Sequence, residues 1–181
     1  MRKSVLWVAT LAAAFASSQA SAGTLADPFT IVFGNTCMLH FYSQDKLRHE
    51  MAANAEQLSP DKAAFFLGGG TGIAWVLPED AGGYVVALRD DNFCAVYARH
   101  ADVVAAHLGF KSLVASSPPS LEAKELDKSQ AGPNTETLKS VPYSWSRPGD
   151  KTELVFILTT SSEPASVVQA MASVALSNKG P

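Results

Sequence analysis

The stretch GIAWVLPEDAGGYVVALRDDNFCAVYA, residues 72–98, decides the fold. It contains three short apolar runs, Ile73 to Leu77, Tyr84 to Leu88 and Phe93 to Ala98, separated by Gly82-Gly83 and by Asp90-Asp91-Asn92. Runs this short, bounded by glycine, proline and turn-forming residues, read as strands, and the short connections predict an antiparallel meander. In the third run Cys94, Val96 and Ala98 alternate with Phe93, Ala95 and Tyr97, so Cys94 points to one face of the sheet.

Upstream the pattern is helical. Asp27-Pro28 is a helix start, with an aspartate able to cap free amides and a proline tolerated at the first helical position. Phe29, Phe33, Cys37 and Phe41 then recur every four residues on one face. Ser43 opens a second helix with Leu47, Met51, Ala55 and Leu58 as its buried stripe, and Ser59-Pro60-Asp61 opens a short third one that stops at Gly68-Gly69-Gly70.

Downstream, Asp102 caps a middle helix in which Val104 and Leu108 lie four apart, closed by Gly109 and finally by Pro118-Pro119. Leu121 to Leu126, Thr135 to Trp145 and Leu154 to Thr160 read as further strands, divided by the polar turn at residues 130–134 and by Pro148-Gly149-Asp150. Residues 167–177 fit either period, and Ala170, Ala172, Val174 and Leu176 favour a strand. The expected architecture is one α+β domain over residues 23–181: an antiparallel sheet of about six strands with N-terminal helices and one middle helix packed on it.

Residues 1–22 read as a secretory signal peptide, with Arg2 and Lys3 before the apolar stretch Val5 to Phe15 and Ala20-Ser21-Ala22 as the cleavage site. Ser17, Ser18, Gln19 and Ser21 end the run short of the ~20 apolar residues that a membrane anchor needs. The mature chain, starting at Gly23, is expected in the periplasm or outside the cell with no membrane span. In such an oxidising compartment the only two cysteines, Cys37 and Cys94, are expected to form a disulfide. Closing a loop of about 58 residues is worth up to ~4 kcal/mol in lost denatured-state entropy.

Charge argues against nucleic acid. The whole chain carries 14 Lys+Arg against 17 Asp+Glu, and no basic run is present to neutralise phosphates. Losing Arg2 and Lys3 with the leader leaves 12 basic against 17 acidic groups, a net charge of −5 that would steer a basic partner towards the protein.

Several catalytic signatures fail on spacing. Gly68-Gly69-Gly70-Thr71-Gly72 follows a helix and precedes a strand and has no lysine, the reverse of a phosphate loop. His49-Glu50 would need a second histidine at position 53 to hold zinc, and that residue is Ala53. No G-x-S-x-G surrounds a serine. Glu79-Asp80 and Asp90-Asp91 fall at opposite ends of one strand pair, where turn and solubility roles explain them. His107, beside Val104 and Leu108, reads as an edge-of-core histidine. No catalytic, cofactor or metal residue is therefore assigned. For partner binding the candidates are the acidic pair Asp90 and Asp91 and the aromatic pair Tyr143 and Trp145. The aromatics share a strand face, and their polar flanks predict exposure.

The order of Phe33-x3-Cys37, Gly72-Ile73-Ala74-Trp75, Ala87-Leu88-x5-Cys94 and Asp102-Val103-Val104 resembles a family of small exported proteobacterial proteins of uncharacterised function, over roughly residues 28–160. The resemblance implies an envelope location and the disulfide, and no active site. Two functional expectations remain. One is a non-catalytic envelope module that binds another protein, in the manner of an inhibitor or immunity factor. The other is a small-ligand or metal-binding periplasmic protein or an unrecognised envelope hydrolase, using His100 and His107 near the glycine-rich connection.

Overall fold

The structure, a computed structural model, describes residues 27–78, 83–130 and 134–179. The expected leader, Glu79-Asp80 and residues 131–133 of the polar turn lie outside the described residues.

Helix α1 (Pro28–Phe33) starts as its sequence dictates: the Asp27 carboxylate accepts from the Thr30 amide at 3.0 Å, with proline at the first position. It continues into a π-helical turn, Gly34–Met38, in which the Leu39 amide reaches back five residues to the Gly34 carbonyl. The wider turn has a consequence for the four-residue repeat. In an α-helix a spacing of four drifts about 40° per step; a turn with an extra residue takes part of that drift back. Phe29, Phe33, Cys37 and Phe41 all end up buried together.

Helix α2 (Gln44–Asn54) buries Leu47 and Met51. Its expected stripe is one turn too long. Ala55 is already extended, and Glu56–Gln57 form a two-residue strand, β1, so Leu58 joins a different cluster. Helix α3 (Pro60–Leu67) ends at Gly68 in the left-handed conformation, which makes the glycine run the expected helix-to-strand connection.

The remaining strands are β2 (Gly72–Val76), β3 (Val85–Arg89), β4 (Cys94–Ala98), β5 (Glu122–Glu125), β6 (Leu138–Ser146), β7 (Thr152–Ser161) and β8 (Ala170–Asn178). With β1 they form one antiparallel sheet in the order β1-β2-β3-β4-β8-β7-β6-β5. Eight strands thus stand where about six were expected; β1 is too short and polar to announce itself, while β8 resolves the ambiguous C-terminal segment as a strand. The chain builds two meanders, β1 to β4 and β5 to β8, and the last strand of each pairs at the centre, Cys94 opposite Val174.

One face of the sheet carries the large core. Trp75, Val86, Leu88, Val96, Val174, Phe156 and Leu158 lie beneath Phe29 and Phe33 of α1 and Phe110 of helix α4 (Val103–Val114). The other face is covered over β2 to β4 by α3, whose Ala63 and Leu67 pack on Ala74 and Ala87. There Phe66 meets Tyr97 edge-on, and the Tyr97 hydroxyl donates to the Phe66 carbonyl at 2.7 Å.

Helix α4 corrects the sequence reading twice. Its cap is as expected, Asp102 accepting from the amides of Val104 and Ala105. Gly109, however, does not end it, and the buried line is Ala106, Phe110 and Val114, leaving Val104 and Leu108 outside. Two four-spaced apolar lines compete on this helix, and the one with phenylalanine has more surface to hide.

Cys37 and Cys94 are disulfide-bonded and fully enclosed, tying the π-turn to β4. Replacing both by alanine (C37A/C94A) should lower stability to unfolding by about 2–4 kcal/mol. Urea titration of the variant against the parent measures this, and coincident curves would show that α1 holds its place without the cross-link.

Candidate functional site

The candidate residues named from sequence do not meet. Asp90 and Asp91 occupy the β3–β4 turn, whereas Tyr143 and Trp145 lie on β6, separated from β4 by β8 and β7. Both carboxylates are also engaged within the chain. Asp90 pairs with Arg48 at 3.1 Å. Asp91 is gripped by the Nε and Nη2 atoms of Arg89 and accepts from the Phe93 amide. The Arg89 hydrogen bond holds the Asp91 carboxyl below the usual carboxylate range. The two carboxylates fasten the turn while more than half of each side chain stays exposed.

The aromatic pair is buried, against the expected exposure: 5% of Tyr143 and 9% of Trp145 reach solvent. The polar neighbours Ser144 and Ser146 belong to the opposite face of the strand and say nothing about the face of the rings. Trp145 packs 4.6 Å from Phe156, and its indole N–H donates to the Val114 carbonyl at 2.6 Å, fastening the end of α4 to the sheet. The Tyr143 hydroxyl donates to Glu125 at 2.9 Å; burial, followed by that carboxylate, pushes its pKa up to about 12.

The histidines stay apart from the glycine run. Register places Gly72 opposite Arg89, at the Cys94 end of the sheet, whereas His100 follows Ala98 at the other end. His107 hydrogen-bonds through Nε2 to Thr160 Oγ1 at 2.8 Å, and burial followed by Lys128 lowers its pKa. His40 is buried, with Nε2 3.0 Å from Glu50. Among the described residues no group of three or more His, Cys, Asp or Glu side chains converges as metal ligands, and no helix is long and apolar enough to cross a membrane.

What the fold does assemble is a groove of about 910 Å³ between α1 and α4. The helices approach closely at one glycine, Gly109, and meet at ordinary van der Waals distance at Gly34. A Cβ on Gly109 would lie 2.5 Å from Thr30 Oγ1, and one turn further along both helices a Cβ on Gly34 would lie 3.5 Å from Leu113. Above that contact, small or short residues line the floor and walls: Gly34, Asn35, Ala105, Gly109, Ser112 and Ser116. Its two buried polar residues, Asp27 and Thr30, satisfy one another, the Thr30 amide donating to the Asp27 carboxylate and its hydroxyl to the Asp27 carbonyl.

Large apolar side chains stand open beside it. Ile31 is 45% exposed, Leu39 67%, Val104 69% and Leu108 63%. Ile31 and Leu108 line the groove itself, and Leu39 lies just beyond the π-turn. A groove walled by small residues and flanked by bulky apolar ones, with its one carboxylate engaged as a helix cap, has the shape to take up an apolar ridge. One signal in the sequence bears on this: a glycine inside a helix costs about 1 kcal/mol against alanine, and at position 109 it leaves room for the Thr30 side chain of α1. Compared with family models, curated proteins and solved structures, the chain finds no match.

Two outcomes follow from these contacts. Trp145→Phe keeps an aromatic side chain but loses the bond to Val114 and part of the ring packing, so it should cost at least about 1–3 kcal/mol in urea unfolding. A change below a few tenths of that would mean the indole N–H does not hold α4. For His107 the folded protein favours the neutral ring, so its contribution is complete above the ordinary histidine pKa and fades as pH falls through and below it. Between about pH 8 and pH 5 the parent should lose more melting temperature than His107→Gln; equal losses would remove this role.

Proposed function

We propose that the protein is an exported, non-catalytic module that binds another protein by seating an apolar ridge in the α1–α4 groove. One observation carries the reading: Val104, Leu108 and Ile31 stand exposed beside a groove whose two buried polar residues, Asp27 and Thr30, are engaged with one another. Exposing apolar side chains on both α1 and α4, which lie side by side over the core, is the ordinary mark of a docking surface. Envelope location, cleavage at residue 22 and an inhibitor-like or immunity-like role are supported by the leader pattern, the disulfide and the acidic composition.

This reading moves the contact away from the residues chosen by sequence. Asp90 and Asp91 lock a turn, and Tyr143 and Trp145 close the core. A basic partner would still be drawn by the overall negative charge, which speeds encounter more than it strengthens the final contact.

Immobilised exported protein, exposed to an envelope extract, tests the site. A specific protein retained by the parent should be lost with Leu108→Glu and kept with Asp90→Ala/Asp91→Ala. Retention that survives Leu108→Glu but fails in the aspartate variant would return the site to the acidic turn and overturn the groove.

A further inference from the structure

Resting on that docking surface, we infer that its resident occupant is a second copy of this chain, so that the protein is a two-fold dimer across the outer faces of α1 and α4. The surface holds both halves of a self-complementary contact. Leu108 and Ile31 project as ridges, and directly beside them Gly34, Ala105, Gly109, Ser112 and Ser116 leave a channel. An isologous interface requires that ridge and channel lie on one patch, so that each copy fills the other.

Area agrees with this. Ile31 and Leu108 in the groove, and Val104 one turn before Leu108, each expose on the order of 100 Å² of largely apolar surface. Together they supply most of the apolar share of a standard interface, which buries roughly 800 Å² per partner, a little over half of it apolar.

Charge agrees as well. An acidic chain meets its own copy with least repulsion where it carries no free carboxylate. Asp27, the one ionisable residue lining the groove, is buried and engaged as the cap of α1. From Pro28 to Met38 the α1 half of the face carries no ionisable side chain. The dimer covers the same patch that another protein would use, and a partner must therefore displace the second copy.

Sedimentation equilibrium of the exported protein over a wide concentration range tests the inference, using two variants that attack the contact from opposite sides. Leu108→Glu removes the ridge; Ser112→Trp fills the channel from an exposed position. The parent should show a concentration-dependent dimer, and each variant should weaken it on the order of a hundredfold, since every substitution occurs twice in the interface. Near-native circular dichroism and melting temperature in both would separate this from misfolding. A parent that stays monomeric to about 1 mM, or a dimer that both variants leave intact, overturns the inference. The docking reading fails separately, by retention of a partner on Leu108→Glu protein.

Discussion

The covalent tie between Cys37 and Cys94 is the constraint from which the rest of the architecture follows. It joins a π-helical turn to the last strand of the first meander, at the centre of the sheet, and its two ends are enclosed by the core that it organises. Because Cys37 sits on the same face as Phe29, Phe33 and Phe41, fixing it to β4 presses that whole face onto the sheet. With α1 so placed, α4 has one way to lie beside it, through Gly109 against Thr30. Trp145 then fastens its far end from the other half of the sheet. The groove is the residue of these fits. Two helices brought together at Gly109 leave it open between their larger side chains.

Polar chemistry in this molecule is largely spent on its own scaffold. Asp27 and Asp102 cap helices, Asp91 holds its turn through Arg89, Tyr143 donates to Glu125, and His107 leans on Thr160. Each group would draw attention in a sequence, and each has a partner that accounts for it. Apolar side chains behave in the opposite way. Most are hidden, yet α1 and α4 keep Ile31, Val104 and Leu108 partly in water, where each forgoes roughly 1–2 kcal/mol of burial. Surface left in that condition on adjoining helices is the feature that the internal structure does not explain.

How much could be read from the chain depends on which period each segment obeys. The β2-β3-β4 meander and the disulfide were legible, because short apolar runs between glycines and aspartates have one physical interpretation and a chain with two cysteines has one pairing. The helix starts at Asp27 and Asp102 were legible for the same local reason. Strand β1 was not: Glu56 and Gln57 have no pattern of their own and become a strand because β2 offers an edge. Nor was the orientation of α4, whose sequence carries one apolar line at 104 and 108 and another at 106, 110 and 114. Tertiary packing alone selects between them. The exposure of Tyr143 and Trp145 was misread because serines on the far side of a strand were allowed to describe the near side.

That last error and the groove have a common origin. Sequence patterns report which residues share a face, and they leave unstated whether the face is covered. On β6 a face that looked open is closed by α4, whereas on α4 a face that looked closed is open. The two misreadings are coupled: α4 turns Phe110 and Val114 towards the sheet, its last turn receives Trp145, and Val104 and Leu108 are thereby rolled outwards. Burying the aromatic pair and exposing the helix ridge are one rotation of one helix. The contact surface therefore belongs to α4 and its neighbour rather than to the strand, and the glycine at position 109, which reads as a helix stop, is the residue that permits it.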